Sequence, residues 1–333
     1  MILTLTPNPS IDRTCSVPRP LTRGGVYRLT GANDVAGGKG VNVSAAVERA
    51  GRSTLALFPV AKSGRFCRLV RAAGVPYEPV DVDEEARVNL TIVEGDGTTT
   101  KLNNPGSELH PDDAARCLDR LTAHAPGADW VVLAGSLPRG VDPRFYLRAI
   151  AAVRAANPAA RIAVDTSDAP LAAIGAALRA GQPAPDLLKP NGVELGQLAG
   201  VDGADLEARA EAGDFTGIIA AARAVGALGV PELLITLGSA GAVLALAGGP
   251  VLHATSPRII PQSTVGAGDS ALAGYLLGHA AGDAPAARLR RAVAYGAAAT
   301  SLPGTTAPRP VQVHPDQSRV TILADAPVEG NRP

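Results

Sequence analysis

One short segment, Ser263-Thr264-Val265-Gly266-Ala267-Gly268-Asp269-Ser270, carries more chemistry than any other in the chain. It reads as a tight glycine turn that opens a helix, with a carboxylate just past the glycines. Gly266 and Gly268 lack Cβ atoms, so an anion can approach the backbone closely. Amide N–H groups at a helix start have no internal partner and carry the positive end of the helix dipole. Such a turn can hold a phosphate or a developing oxyanion. Asp269 would stand beside that anion, where a hydroxyl could lose its proton. A bare phosphate cradle would not need the acid, so the combination points to phosphoryl transfer onto an alcohol. The competing reading is an ordinary Gly-rich helix entry with Asp269 as a cap.

Other short polar motifs follow stretches that read as strands. Asn8 and Asp12 come after the apolar start Ile2 to Thr6, and Gly37-Gly38-Lys39-Gly40-Val41-Asn42 opens a helix. Gly135-Ser136-Leu137-Pro138, Asp165-Thr166-Ser167, Lys189-Pro190-Asn191-Gly192-Val193-Glu194 and Thr236-Leu237-Gly238 each follow a short apolar run. Ligands of open α/β sheets bind at such strand ends, so these motifs describe one rim. Taken singly, the glycine motifs are unspecific. There is no GxxxxGK[ST] loop, and no GxGxxG follows the first strand.

The elements that must position these residues alternate. Runs at Ser53 to Val60, Trp130 to Ala134, Arg161 to Val164, Leu187-Leu188 and Glu232 to Leu237 read as buried strands separated by helices. Val41 to Ala50 has apolar residues at helical spacing, and Gly51 reads as its stop. Ser270 to Ala281 and Pro285 to Leu302 read as two further helices. The expected fold is α/β, with a mainly parallel, doubly wound sheet. The β-like stretches 10–35 and 86–106 break that rhythm, and Gly95-Asp96-Gly97 marks a hairpin in the second. They are expected to pair as a small lid sheet, although both could instead lie in surface loops. The body is then 1–9, 36–85 and 107–318, and 319–333 reads as a tail.

Composition narrows the function. The chain has 333 residues, 46% of them hydrophobic and 3% aromatic, with 31 basic and 31 acidic residues. That balance gives nucleic acid binding no electrostatic support. Cys15, Cys67 and Cys117 are scattered and suggest no disulfide framework, and the histidines show no metal-ligand spacing. Pro7 and Pro9 interrupt the apolar start too early for a signal peptide, and no run of about 18 apolar residues suggests a membrane span. A cytoplasmic protein is expected.

In order, the motifs resemble those of the ribokinase-like sugar kinases, the PfkB family. Ala36-Gly37-Gly38-Lys39-Gly40-Val41-Asn42-Val43-Ser44 and the Ser263 to Ser270 segment match its two signatures. Leu5 to Asp12, Arg87-Val88-Asn89-Leu90, Gly135 to Pro138 and Leu188 to Asn191 are similar to the 1-phosphofructokinase and tagatose-6-phosphate kinase branch. The resemblance runs from Leu3 to about Gly304 and implies a three-layer αβα body.

It implies Asp269 as the base, with Gly266, Ala267 and Gly268 presenting amides to the transferring phosphoryl group. Asp12 and Asn42 would bind sugar hydroxyls, and Gly37 and Gly38 would let the backbone close on the sugar. Lys39 and Arg87 would hold a sugar phosphate, a role an uncharged sugar would not need. Asn103, Ser136 and Arg139 are further candidates for that pocket. Lys189, Thr236, Gly238 and Gly241 would line the nucleotide phosphates, with adenine against Ala297 to Gly304. Asn191 and Glu194 would organise Mg²⁺, partly through water.

The expected activity is therefore ATP- and Mg²⁺-dependent phosphorylation of a ketohexose phosphate, D-fructose 1-phosphate first, in a homodimer joined through the lid. Tagatose 6-phosphate and fructose 6-phosphate are the alternatives. Val26 lies in the lid stretch where some 6-phosphofructokinases carry lysine, which disfavours the last. A non-catalytic sugar-phosphate sensor and a nicotinamide-dependent oxidoreductase are readings from other classes. As an acid at a helix start, Asp269 is expected to have a lowered pKa and be ionised.

Overall fold

The computed structural model describes residues 1–326. Its first half contains strands β1 (Ile2–Leu5), β2 (Ser10–Ser16), β3 (Gly31–Gly37), β4 (Thr54–Val60), β5 (Tyr77–Asp81), β6 (Arg87–Val93), β7 (Thr99–Leu102), β8 (Trp130–Ala134) and β9 (Arg161–Asp165). Among them lie helices α1 (Lys39–Arg49), α2 (Arg65–Ala72), α3 (Pro111–His124) and α4 (Phe145–Ala156). Then follow α5 (Asp168–Arg179), β10 (Leu187–Leu188), α6 (Gly192–Ala199), α7 (Gly203–Glu211), α8 (Thr216–Gly226), β11 (Glu232–Thr236), β12 (Ala242–Leu246) and β13 (Val251–Thr255). Helices α9 (Ala267–Ala280) and α10 (Pro285–Thr300) precede the final strand β14 (Arg319–Ala324).

The body is built on a ten-stranded sheet in the order β14-β13-β12-β11-β10-β9-β8-β1-β4-β5. From β5 to β11 neighbouring strands pair in parallel, and β12, β13 and β14 continue antiparallel. Successive side chains point to opposite faces of a strand. Leu3 and Leu5 therefore join a core with α3 to α8, whereas Ile2, Trp130 and Val132 join a second core with α1, α9 and α10. Both faces are covered, which is why these strands read as continuous apolar runs. Helix α9 is buried from Ser270 to Gly278. Gly274 lets α10 lie against it, since a Cβ there would stand 2.8 Å from the carbonyl of Arg291.

A second sheet, of four strands in the order β3-β2-β6-β7, forms the lid. β2 pairs antiparallel with β3 and parallel with β6. The β6–β7 hairpin turns where expected, with Asp96 Oδ1 accepting from the Thr98 amide at 2.9 Å and Gly97 at φ 90°.

The structure departs from the sequence reading at element ends. Arg319 to Ala324, expected as tail, forms an edge strand whose Val320 and Leu323 pack on opposite cores. Its alternation was hidden by the proline-rich approach, which forms two short 3₁₀ turns at Pro310–Gln312 and Pro315–Gln317. The remainder of that expected tail, 327–333, lies outside the described residues. β5 went unnoticed because Pro76 and Pro79 flank and interrupt it, yet it pairs with β4 along its length. β3 runs to Gly37 and α1 starts at Lys39, so the first glycine motif bridges lid and body. Among the described residues no helix is long and apolar enough to cross a membrane.

At the sheet end opposite the glycine motifs, a polar cluster ties α9 and α10 to β8, β9 and β11. Trp130 Nε1 donates to His279 Nδ1 at 3.2 Å, and Arg161 contacts the other ring nitrogen. The Tyr275 hydroxyl donates to Glu232 at 2.8 Å, and Arg288 donates to the same carboxylate at 3.2 Å. Burial, then the charges of Arg161 and Arg288, lower the pKa of His279. The folded chain therefore resists a proton that the unfolded chain accepts below about pH 6.5. Stability from this site should be full above that pH and be lost as pH falls through the lowered folded value. The difference in Tm between pH 7.5 and 5 should shrink in His279→Gln. An unchanged difference would remove His279 from the account of acid sensitivity.

Candidate active site

The glycine motifs converge at the carboxyl ends of the parallel strands. Gly266 caps α9 in the left-handed region at φ 78°, a conformation glycine adopts without strain. The turn places Asp269 in the first helical turn, and the Ala267 amide donates to the Thr264 carbonyl at 3.4 Å. Asp269 is buried, and its Oδ2 accepts a hydrogen bond from Asn42 of α1 at 2.8 Å. Lys189, which follows β10, also stands at this turn: a Cβ on Gly268 would lie 3.5 Å from its ammonium. Gln262 and Ser263 donate to the carbonyl of Thr300 at 2.8 and 3.2 Å, so the loop is tied to the Ala297 to Gly304 region.

Asp165, at the end of β9, was placed on the rim by its motif but given no role there. It is 1% exposed and receives both lysines of the site. Its Oδ1 accepts from Lys39 at 2.6 Å, and its Oδ2 lies 3.1 Å from the Lys189 ammonium. The second contact is an ion pair without hydrogen-bond direction. Burial raises the pKa of Asp165, but Lys189 and Lys39 outweigh it and hold the carboxyl below its ordinary value. Burial pulls the Lys39 pKa down, yet Asp165, Glu194 and Asp269 reverse that and raise it. The sequence reading placed Lys39 on a sugar phosphate; in this structure its ammonium is paired with Asp165.

Asp269 itself runs against expectation. Its pKa is pushed up to about 6, by burial first and by the charge of Asp165 second. Lys39, Asn42 and Lys189 pull in the other direction. The helix-start argument gave the wrong sign because desolvation of a buried carboxylate exceeds a dipole effect of about 1 kcal/mol.

The lid supplies a polar face by strand alternation. Ser10 pairs with Arg87, Asp12 with Asn89, and Thr91 with Lys101, so these residues share one side of the sheet. Asp12 Oδ1 accepts from Ser10 at 2.8 Å and from Asn89 at 3.2 Å. Burial raises the pKa of Asp12, opposed by those bonds and by Arg87 and Lys101. Gly37 closes on it: a Cβ there would stand 2.1 Å from Asp12 Oδ2. Gly38, at φ 109°, has no room either, with Thr6 Cγ2 at 2.8 Å.

Arg87 donates to the carbonyl of Asn104 at 2.7 Å and reaches Ser136 Oγ at 3.5 Å. Its Nε is buried without a hydrogen-bond partner. Asn8 also donates to Ser136, at 3.2 Å. Asn103 is exposed, and its neighbour Asn104 makes the local contacts. The Arg139 side chain is exposed, with only its carbonyl tied, to Leu109 at 2.9 Å. Lys101 was missed because strand register, invisible without the pairing, brings it to the Asp12 side of the sheet, and Asn104 because only the fold sets its carbonyl against Arg87 and its amide against Asn89.

Asn191 and Glu194 form a reciprocal cap on α6. Asn191 Oδ1 accepts from the Glu194 amide at 2.7 Å, and Glu194 Oε2 accepts from the Asn191 amide at 2.8 Å. Glu194 is 8% exposed, and burial raises its pKa against Lys39 and Lys189. Among the described residues no group of three or more His, Cys, Asp or Glu could by itself hold a metal. One amide and one buried carboxylate suit Mg²⁺ that keeps water and phosphate as its other ligands. Thr236 bridges to Asn191 and donates its amide to Pro190 at 3.0 Å, beside the tight turn Gly238 to Gly241. Gly241 has φ 89° and a Cβ there would meet the Ala254 carbonyl at 2.1 Å.

Two outcomes follow from this geometry. Asp269→Asn should fold normally and lose roughly 10³-fold or more in kcat, as expected for removal of a general base. Circular dichroism and turnover check this, and substantial retained activity removes Asp269 from that role. With Asp269 as the base, kcat/KM of the wild type should rise with pH through about 6, because a carboxylate accepts a proton only when ionised. A profile flat from pH 5 to 7 contradicts the assignment.

The sequence pattern of the pfkB family carbohydrate kinases matches residues 7–312. A 1-phosphofructokinase of Rhodobacter capsulatus is 34% identical over 98% of this chain and 99% of its own length. One of Haloferax volcanii is 32% identical over 97% and 98%. Among solved structures, phosphofructokinase-2 of Escherichia coli in complex with substrates and products superposes with a TM-score of 0.81 at 29% identity, covering 93% of this chain and 96% of that one. With the ribokinase-like architecture described above, these likenesses establish that the chain belongs to the pfkB family of carbohydrate kinases and is a phosphotransferase with an alcohol acceptor.

Proposed function

We propose that the chain transfers the γ-phosphoryl group of ATP to D-fructose 1-phosphate, giving fructose 1,6-bisphosphate. Near-full-length likeness to several proteins named 1-phosphofructokinase carries this reading. The lid face supports it: Arg87 and Lys101 stand with Asp12 on one side of the sheet, suited to a sugar that is itself anionic. Asp12, Asn42 and the Gly37-Gly38 backbone would bind sugar hydroxyls, with Ser136 at the phosphate.

In the reaction, Asp269 takes the proton from the 6-hydroxyl as that oxygen attacks the γ-phosphorus. The new P–O bond forms while the bond to the β-phosphate oxygen breaks, and ADP leaves with the electron pair. Amides of Gly266, Ala267 and Gly268 face the charge on the equatorial oxygens. Lys189 and the Thr236 to Gly241 turn would line the nucleotide phosphates. Mg²⁺, when bound, would neutralise phosphate charge, held through Asn191 and Glu194. Lid closure would exclude water and limit ATP hydrolysis.

A 6-phosphate acceptor is the second reading, because the solved likenesses include Escherichia coli phosphofructokinase-2 in complex with fructose-6-phosphate, at 28% identity. The side chain at position 26, Val26, is 87% exposed and offers no charge to such a substrate. We further propose that two copies join through the lid, where Val26, Leu29, Val88 and Leu102 are exposed apolar side chains. Sedimentation at micromolar concentration should give a dimer, and a monomer would refute this.

ADP release with Mg-ATP and fructose 1-phosphate, fructose 6-phosphate, tagatose 6-phosphate, fructose or ribose tests the substrate. The expected result is a kcat/KM for fructose 1-phosphate at least tenfold, about 1.4 kcal/mol, above the others. Preference for a 6-phosphate would transfer the function to the second reading. Turnover of only uncharged sugars would refute both.

A further inference from the structure

The buried Asp165 has no role in either glycine signature, yet it is the only carboxylate that touches both lysines of the site among the described residues. Its place is rigid. The Gly135 amide donates to its backbone carbonyl at 2.9 Å, and Tyr146 and Thr166 hydroxyls donate to the Gly135 carbonyl at 2.8 and 2.9 Å. The two ammoniums come from different elements, Lys39 from the start of α1 and Lys189 from the end of β10. Without a shared anchor they would repel and swing apart. Lys189 faces Gly268 of the phosphoryl turn, and the charges of Lys39 and Lys189 both act on Asp269 and Glu194.

We propose that Asp165 is a positioning residue for phosphoryl transfer: one buried carboxylate that ties Lys39 and Lys189 together, so that both cations face the γ-phosphoryl group in flight. It touches neither sugar nor nucleotide. The proposal rests on the kinase reading but not on which sugar is used. A second consequence falls on the base. Asn42 of α1 donates to Asp269, and the charges of Lys39, of Lys189 after β10 and of Asp165 at the end of β9 act on it. Of these, only Asp165 adds negative charge, so it helps keep the Asp269 proton affinity high.

The test uses Asp165→Asn, Lys39→Met and the double variant, assayed by ADP release with whichever sugar the wild type turns over best. Asp165→Asn should lose roughly 100-fold in kcat, with the sugar KM within about 3-fold, as for lost orientation of charged groups. The acid limb of its kcat/KM profile should move to lower pH. Lys39→Met should cost much less in the Asp165→Asn background than in the wild type, because the two act as a unit. A merely structural role predicts a lower Tm with an unmoved acid limb and losses that multiply, and that result overturns the proposal. Activity of Asp165→Asn within a few-fold of wild type also overturns it. If Asp165→Asn does not fold, Asp165→Glu, which keeps the charge but displaces it, replaces it: a loss in kcat with the sugar KM unchanged is expected, and activity within a few-fold of wild type refutes the proposal. Failure on fructose 1-phosphate alone would instead count against the substrate reading.

Discussion

Three carboxylates, Asp165, Asp269 and Glu194, are buried within reach of two ammoniums at one sheet edge, and the rest of the site is arranged around that charge problem. Burying one isolated carboxylate is costly, and removing a partner from a buried ion pair costs about 3–5 kcal/mol. The chain solves this by stacking its charges at the strand ends, where helix starts and glycine turns supply further dipoles. Asp165 receives both cations and stays ionised. Asp269 receives only an amide hydrogen bond, and burial raises its pKa to about 6. Two acids of the same type thereby acquire different charge states from their surroundings, which suits one to anchor cations and the other to the proposed role of proton acceptor.

The fold makes this possible through the parallel sheet. Parallel strands present their carboxyl ends to one edge, so residues far apart in sequence meet there: Asn42 and Asp269 are 227 positions apart, Lys39 and Asp165 are 126. Both faces must be covered by helices, and α1 and α9 pack together on the same core as they deliver Asn42 and Asp269. The lid then needs only strand alternation to bring Asp12, Arg87 and Lys101 to one side. Glycine is required where the two parts meet, since Gly37 abuts the Asp12 carboxylate itself.

Much of this was legible in the chain. The glycine turn before Asp269, the rim of polar motifs and the β6–β7 hairpin all carry local signals that tertiary contacts leave intact. The losses have physical causes. Asp165 looks like the polar end of an apolar run, and nothing local reports that two lysines will share it. Lys39 reads as a free cation until that carboxylate is seen. Lys101 depends on register, which is a property of paired strands. β5 and β14 were masked by nearby prolines, whose effect on pairing depends on which edge they face. The direction of the Asp269 shift could not come from helix position alone, because burial decides it.

The account's central claim is a division of cations: Lys39 and Lys189 with the transferring phosphoryl group, Arg87 and Lys101 with the sugar phosphate. A crystal structure of the chain with fructose 1-phosphate and a non-hydrolysable ATP analogue tests it most directly. The account predicts the sugar phosphate against the lid cations, the free hydroxyl within hydrogen-bond reach of Asp269, and Lys39 still paired with Asp165. A sugar phosphate seated on Lys39, with that lysine released from Asp165, would contradict it.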